Sequence, residues 1–343
     1  MEAHHLTLSF YGVGVSVESE EDGLLRTIEH AFSYFASPID RCDLRIIYHP
    51  ENPDYDRLPV MTASMATPRN ICFRREGKTY IDYFGKALNV YEKNENTCHI
   101  YTEDAGLAHE ISYLTILSRV SEKLDKKRIH RIHALGIEHH GRGILILLPA
   151  GGGKTTLAMS ILQSDDHRIK LISEDSPLIK SDGTLLPFPL RIGVHPRNLP
   201  AGIDERFTRF ERRMEYDPKV TIDIRYFADK ISSEGVRPCI MLLGTRSTGE
   251  VSQIAPIAKA GVIKHCLMNS VVGVGLYQGM EFIMQKNAPE LASQAGVLLS
   301  RMYNNLRLVM KSKVYSFTIG RNPLRNYSTL RQFLDDFPEG RRR

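Results

Sequence analysis

The sequence has 343 residues, more than most single hydrophobic cores accommodate, so we expect two domains. Hydrophobic residues make up 42% and charged residues 25% of the chain, proportions that exclude a largely disordered protein. The net charge of +5 is too small for this length to indicate nucleic acid binding. The basic run at residues 126–128, with Arg131 beside it, is interpreted as a solvated helix end.

Cysteine usage and hydropathy give expectations about the compartment. The five cysteines are an odd number and none are spaced as a Cys-x-x-Cys pair, which predicts neither a disulfide framework nor a zinc site. The first residues have no apolar leader segment, and the apolar run at residues 144–148 is too short to cross a bilayer. We therefore expect a cytoplasmic protein with reduced thiols and with no membrane or nucleic acid partner.

Residues 1–128 are predicted to form an N-terminal α+β domain, to which the sequence assigns no role. Helices are expected at residues 20–35 and from residue 104 onward, because apolar side chains recur on one face of each. The short strands suggest a mainly antiparallel sheet, and the basic run after the second helix marks the domain boundary. The predicted strands are residues 6–17, 44–48, 70–74, 79–83, 87–91 and 97–101.

Residues 129–343 are predicted to form a second domain of α/β type. A strand at residues 143–148, a helix at 154–163 and a strand at 170–173 have the order of a nucleotide-binding unit. Further strands are predicted at residues 221–225, 238–243 and 314–319, and further helices near residues 256–265 and 290–301.

The turn between the first of these strands and its helix is the most informative segment, with the sequence Pro-Ala-Gly-Gly-Gly-Lys-Thr-Thr at residues 149–156. Three glycines let the backbone curl so that several N–H groups point into one cavity, and the helix that follows adds its dipole. Lys154 supplies a charge for the β- and γ-phosphates of a nucleotide, and Thr155 supplies a hydroxyl for Mg²⁺. The predicted nucleotide-binding residues are Ala150, Gly151, Gly152, Gly153, Lys154, Thr155 and Thr156.

One position departs from the usual phosphate-loop pattern Gly-x-x-x-x-Gly-Lys-[Ser/Thr]. Its first glycine belongs five residues before Gly153, where this chain has Leu148. We expect Leu148 to end the buried strand and to pack beneath the loop. The alternative is a glycine-rich turn with a surface lysine, but a strand before the loop and an apolar helix after it provide the context that nucleotide binding requires.

Glu174 and Asp175 follow the strand at residues 170–173. Strand ends in open α/β sheets face the ligand crevice, where one carboxylate can hold Mg²⁺ and another can accept a proton from a hydroxyl. Adjacent side chains on a strand point to opposite faces, so both can face the site only if the chain bends here, which Pro177 favours. An ordinary acidic turn is the alternative.

His133 and Arg246 are two further candidates. A histidine in an apolar stretch such as that around His133 is more often a core residue, and its neighbours His130, His139 and His140 do not have the spacing of metal ligands. Arg246 follows a predicted strand and could reach a γ-phosphate from the strand end.

Residues 130–195 resemble the HPr serine kinase family, especially its looser relatives, the HPr-kinase-related kinases. In that family a histidine-bearing strand, a Gly-x-Gly turn, a phosphate loop, an acidic pair and a Pro-x-Pro-type segment come in this order. The matching positions here are His133, Gly141 with Gly143, residues 151–155, Glu174 with Asp175, and Pro187 with Pro189. The resemblance implies a P-loop kinase domain with the fold shared with phosphoenolpyruvate carboxykinases, preceded by the α+β domain.

The resemblance also implies a reaction and a set of roles. The reaction is ATP- and Mg²⁺-dependent phosphorylation of a hydroxyl, typically that of a serine. Lys154 and Thr155 would hold the phosphates and Mg²⁺, Asp175 would be the metal carboxylate, and Glu174 would be the base. The family usually has aspartate where Glu174 stands, which leaves open which of the two carboxylates is the base. His133 occupies the position of the family's histidine and so gains a role in the site.

We therefore expect a homo-oligomeric kinase acting on a hydroxyl of a protein, a peptide or a small molecule. HPr itself is not the expected acceptor, because the family's glycine-rich signature after the acidic pair is missing. One alternative is a nucleotide-dependent switch that binds ATP and transfers little phosphate. A carboxykinase-like metabolic enzyme is disfavoured, because the additional lysine and histidine metal ligands of such enzymes cannot be placed in the sequence.

Overall fold

A computed structural model of the chain describes residues 4–149, 151–211, 217–270 and 288–337. The fold is mixed α/β, with several multi-stranded sheets, and the chain divides into two compact units. The first unit holds the described residues of Met1–Leu124 and Gly193–Tyr226, together with residues 288–291. The second holds those of Asp125–Ile192, Phe227–Tyr277 and Ala292–Arg343. Within the described ranges, every helix is too short or too polar to traverse a lipid bilayer.

The first unit is built on an eight-stranded sheet with the order β1-β2-β3-β8-β7-β6-β5-β4. The pairs β2–β3 and β3–β8 are parallel and the other neighbours are antiparallel, which confirms the mainly antiparallel sheet. Its helices are α1 (Asp22–Phe32) and α2 (Ala105–Lys126). The strands are β1 (His4–Ser9), β2 (Gly14–Ser19), β3 (Leu44–His49), β4 (Ala63–Ala66), β5 (Ile71–Arg75), β6 (Lys78–Asp82), β7 (Leu88–Glu92) and β8 (Thr97–Tyr101).

The prediction of one strand over residues 6–17 is wrong. The chain turns back between β1 and β2, with positive φ angles of 51° at Tyr11 and 75° at Gly12. Two consecutive left-handed residues cannot continue a strand, so β1 and β2 pair as a hairpin.

The second unit contains a six-stranded mixed sheet with the order β12-β10-β11-β18-β20-β19. The central strands β11, β18 and β20 are parallel, while β10, β12 and β19 pair antiparallel with their neighbours. A small sheet has the order β14-β13-β9. The strands are β9 (Ile129–Arg131), β10 (Leu135–His139), β11 (Arg142–Leu147), β12 (Ile169–Ser173), β13 (Leu178–Lys180), β14 (Leu185–Leu186), β18 (Arg237–Arg246), β19 (Gln253–Pro256) and β20 (Lys313–Ile319).

The helices of the second unit are α3 (Lys154–Leu162), α4 (Lys259–Ser270), α5 (Ala288–Lys311), whose first residues belong to the first unit, and α6 (Pro323–Asp336). The predicted strand–loop–helix–strand order is confirmed as β11, α3 and β12. The strand β11 lies in the middle of the sheet, and consecutive residues 143–147, which point alternately to its two faces, are all buried. Leu148, directly after β11, is 1% exposed, which confirms that it packs beneath the loop.

The segment Gly193–Tyr226 belongs to the first unit. The division of the chain therefore differs from the predicted division, which has a single boundary near residue 128. It carries most of a three-stranded sheet of β15 (Ile192–Val194), β16 (Thr208–Glu211) and β17 (Lys219–Ile222). Ser33 donates a hydrogen bond to Asp223 at 2.5 Å, and Arg225 donates one to Glu29 at 2.8 Å. These contacts join residues about 190 positions apart, a pairing that local patterns do not reveal.

Candidate functional site

Each described glycine of the loop between β11 and α3 has a conformational reason to be there. Gly151 and Gly153 have φ angles of 70° and 99°, values that favour glycine. Nothing lies within 4 Å of where their Cβ atoms would stand, so the loop is open on that side. A Cβ on Gly152 would lie 2.8 Å from the carbonyl oxygen of Pro149, so this position is closed to side chains. Ala150 lies outside the described residues.

Lys154, the first residue of α3, is turned inward beneath the loop. Its side chain is 7% exposed, so the alternative of a surface lysine is wrong. Its ammonium donates to Nε2 of His133 at 2.9 Å and to the carbonyl oxygen of Leu148 at 3.0 Å, and lies 3.7 Å from Oδ1 of Asp175. Burial lowers the pKa of the ammonium, while the charges of Asp175 and Glu174 act in the opposite direction.

The two acidic residues occupy a bend directly after β12. The hydroxyl of Ser173 holds the bend, because it donates to the carbonyl oxygen of Phe188 at 2.8 Å and accepts from the backbone N–H of Ser176 at 3.0 Å. The expected bend is confirmed, and it turns both carboxylates towards α3 and the loop. Glu174 accepts a hydrogen bond from the hydroxyl of Thr155 at 2.5 Å, and Asp175 lies beside Lys154.

His133 lies in the short link between β9 and β10, rather than on a strand. Backbone hydrogen bonds fix this link against the acidic bend: Ile132 donates to the carbonyl oxygen of Pro177 and Ala134 to that of Asp175. An ammonium can only donate, so Nε2 of His133 must be the acceptor and the ring proton is assigned to Nδ1. Nδ1 lies 3.2 Å from Oδ1 of Asp175, at an angle outside hydrogen-bond geometry.

The environment of Asp175 favours its ionised form. Burial raises the pKa of its carboxyl group. Its neighbours His133, Lys154 and Arg131 lower that pKa by more, so the net pKa lies below the ordinary value for aspartate. The side chain of Asp175 is 43% exposed, so this carboxylate remains accessible from solvent.

Arg246 and Thr156 complete the set of predicted residues. The Nη1 atom of Arg246, at the end of β18, donates to the carbonyl oxygen of Gly151 at 2.9 Å. The guanidinium therefore reaches the loop from the end of a neighbouring parallel strand. Thr156 is exposed on the first turn of α3.

Sequence reasoning missed Arg131. Its interpretation as part of a solvated basic run is wrong, because Arg131 lies on β9 and its Nη2 atom donates to the hydroxyl of Ser176 at 2.8 Å. The signal available in the sequence was the break in the basic run at Ile129 and His130, two residues that are buried in β9. The cation is thus directed at the acidic bend.

No protein-family model matches the chain, and a search of curated proteins finds no similar sequence. The resemblance of residues 130–195 to the HPr serine kinase family therefore remains a hypothesis that rests on the motifs and their order.

Proposed function

We propose that the second unit is a P-loop kinase domain that transfers the γ-phosphoryl group of ATP to a hydroxyl. The observation that carries this proposal is the meeting of the glycine loop with the acidic bend. Lys154 and Thr155 at the start of α3 contact Asp175 and Glu174, respectively. Phosphoryl transfer needs cations and a helix N-terminus at the phosphates and carboxylates at the metal and the acceptor, and these groups lie together here.

The glycine loop fits the phosphates of a nucleotide. Gly151 and Gly153 leave open space where side chains would stand, so a phosphate could approach the loop backbone on that side. The N–H of Gly152 donates to the carbonyl oxygen of Pro149 at 2.9 Å and would have to leave this partner to bind a phosphate. Arg246 lies at the same loop and would offset charge on the phosphates. Lys154 would have to exchange its hydrogen bonds with His133 and the Leu148 carbonyl oxygen for phosphate oxygens.

The residues present also fit Mg²⁺ held jointly by protein and substrate. The hydroxyl of Thr155 and the carboxylate of Glu174 lie side by side. Among the described residues, this site included, no three His, Cys, Asp or Glu side chains are grouped so that they could hold a metal ion by themselves. Such a sparse donor set suits Mg²⁺ at a nucleotide site, where phosphate oxygens and water supply the other ligands. The ion would neutralise charge on the phosphates.

The geometry favours an exchange of the two carboxylate roles that the resemblance suggests. Glu174 accepts a hydrogen bond from the hydroxyl of Thr155, which supports a role for Glu174 as the metal carboxylate. The side chain of Asp175 is 43% exposed and lies beside His133. We infer that Asp175 accepts the proton of the attacking hydroxyl, while the neighbouring His133 and Lys154 favour its ionised form.

Two near-isosteric substitutions test the proposal. Glu174→Gln is expected to weaken the Mg²⁺-dependent part of ATP binding. Asp175→Asn is expected to leave that binding nearly intact and to slow transfer by roughly 10²–10⁴-fold, the usual cost of losing a general base. The measurements are calorimetric titration with Mg²⁺ and ATP and a phosphotransfer assay on candidate acceptors.

The exposed Asp165, changed to Asn, is the matched control and should alter neither quantity. Equal and mild effects of the Glu174 and Asp175 substitutions would refute both the division of roles and the kinase proposal. Normal ATP binding with no phosphorylated product from any acceptor would favour the nucleotide-dependent switch. Lys154 fits a switch as well, because it would exchange its hydrogen bond to His133 for a phosphate when a nucleotide binds.

A further inference from the structure

The outer face of α5 carries a continuous apolar stripe. Its side chains recur at steps of four residues, in one row from Leu298 to Met310 and a second row beside it. The stripe consists of Leu298 (44% exposed), Leu299 (65%), Met302 (40%), Tyr303 (63%), Leu306 (48%) and Met310 (59%). The opposite face of the helix packs into the core through Leu308 and Val309. A helix that is apolar on its buried face and on its solvent face has a second surface to cover.

The charges around the stripe restrict what covers it. Residues 291–311 contain no acidic side chain. The basic residues within the stripe's length are turned towards their own protein, since Arg301 pairs with Asp125 at 2.6 Å and Arg307 donates to the carbonyl oxygen of Ser181 at 2.6 Å. A helix that binds a membrane surface presents its basic residues to lipid headgroups, which these two do not do. An uncharged stripe suits a partner surface that is itself uncharged and apolar.

The area of the stripe matches the lower range of stable dimers. The six side chains are on average about half exposed, so at roughly 200 Å² each they would bury about 600 Å² per copy, or about 1,200 Å² in total. The six side chains of the stripe are themselves uncharged, so two copies can bring them together without like-charge repulsion between them. In a dimer with two-fold symmetry, both copies use the same surface, so the stripe of one copy would pack against the stripe of the other.

We propose that this stripe is the interface of a symmetric homodimer, with the α5 helices of two copies packed against each other. The proposal does not depend on the kinase activity, because it rests on the exposed face of α5 alone.

The test is the mass of the purified full-length chain by sedimentation velocity. The wild type is expected to be a dimer at micromolar concentrations. Leu299→Glu combined with Tyr303→Glu is expected to be a monomer with an unchanged thermal unfolding midpoint, because both positions are largely exposed in the single chain. Val251→Glu combined with Leu324→Glu is the matched control, since both of these apolar residues are equally exposed but lie outside α5, and it should remain a dimer.

A milder variant, Tyr303→Ser, guards against misfolding of the double variant. It is expected to weaken the dimer at least tenfold in dissociation constant. A monomeric wild type would overturn the proposal, and a monomer destabilised by the glutamates would show that the stripe is covered within a single chain instead. A dimer that survives in both α5 variants would overturn it as well.

Discussion

Leu148 shows how one residue can replace the first glycine of a phosphate-loop pattern. The leucine side chain needs space that a glycine at this position would not need. Gly244 on the neighbouring strand β18 provides that space, because it has no side chain. A Cβ on Gly244 would lie 2.2 Å from Cδ2 of Leu148, so the two positions share one volume. The leucine side chain fills that volume, and its carbonyl oxygen still accepts a hydrogen bond from Lys154.

This shared volume predicts non-additive substitutions. Leu148→Ala should cost about 2–5 kcal/mol of unfolding free energy through lost burial. Gly244→Ala should also destabilise, because its Cβ collides with the leucine. Combined, the two should cost clearly less than the sum of the single changes, since the new methyl group enters the vacated space. Urea unfolding measures the cycle, and strict additivity would contradict the packing described.

Replacing Lys154 should affect ATP binding and thermal stability to different extents. Burial of its ammonium is unfavourable, as the lowered pKa indicates. Lys154→Met keeps the length of the side chain and removes this cost, but it also removes the hydrogen-bond donor to His133 Nε2 and to the Leu148 carbonyl oxygen. The two effects oppose each other, so the thermal unfolding midpoint should change little. ATP binding should fall below detection if the kinase proposal is correct.

The matched control is the exposed Lys127, for which Lys127→Met should change neither measurement. Wild-type affinity of Lys154→Met for ATP, measured by calorimetry, would remove the phosphate-binding role from this lysine.

At the scale of elements, His130 ties together three pieces of the second unit. This residue of β9 is fully buried. Its Nδ1 atom lies 2.8 Å from Oδ1 of Asp125, and its Nε2 atom lies 2.8 Å from the hydroxyl oxygen of Ser300. The order Ser–His–Asp resembles a hydrolase triad, but the histidine is inaccessible and Arg301 occupies the second oxygen of Asp125. The arrangement therefore anchors α5 to β9 and to Asp125, the first residue of the second unit.

This anchor predicts a graded loss of stability. Asp125→Asn should cost about 3–5 kcal/mol, because it removes the carboxylate charge that faces the Arg301 guanidinium at 2.6 Å in a largely buried position. Ser300→Ala removes one neutral hydrogen bond and should cost only about 0.5–1.5 kcal/mol. Urea unfolding of both variants decides the matter, and similar costs would show that the ion pair does not anchor the helix.

At the scale of the whole molecule, stability depends on histidines that are held neutral. Burial is the main cause that lowers the pKa of His49 and His99 in the first unit and of His139 in the second. The ring nitrogens of His49 and His99 also lie 3.0 Å apart, so a second proton on this pair would be repelled. The unfolded chain has no such restraint.

The sign of the pH dependence follows from these shifts. Each folded pKa lies below the unfolded value of 6.5, so the unfolded chain binds more protons in acid. The stabilisation should be complete above about pH 6.5 and should be lost as the pH falls through the folded pKa values. Urea midpoints at about pH 7.5 and about pH 5.5 measure the loss, which His99→Gln should reduce and the exposed His195→Gln should not. An identical loss in both variants would contradict the role of the pair.

What the sequence determined by itself is local. Apolar periodicity predicted α1 and α2, a continuous apolar run predicted the buried strand β11, and the run of glycines predicted a tight turn between β11 and the apolar helix α3. These features depend on backbone sterics and on the burial of apolar side chains, and a segment of about ten residues contains enough information to predict either. The bend after β12 was also predictable, because Pro177 follows the acidic pair so closely.

The tertiary structure decided which side chains meet. Lys154 contacts His133 across 21 positions, and Arg246 contacts Gly151 across 95. The pairing of Thr155 with Glu174, rather than with Asp175, came from the direction of the bend, and the inward turn of Lys154 came from the acceptors beneath the loop. The space that Gly244 leaves for Leu148 and the attachment of Gly193–Tyr226 to the first unit were equally invisible. Each depends on packing between distant segments, and a local pattern carries no information about which distant partner fills a given volume.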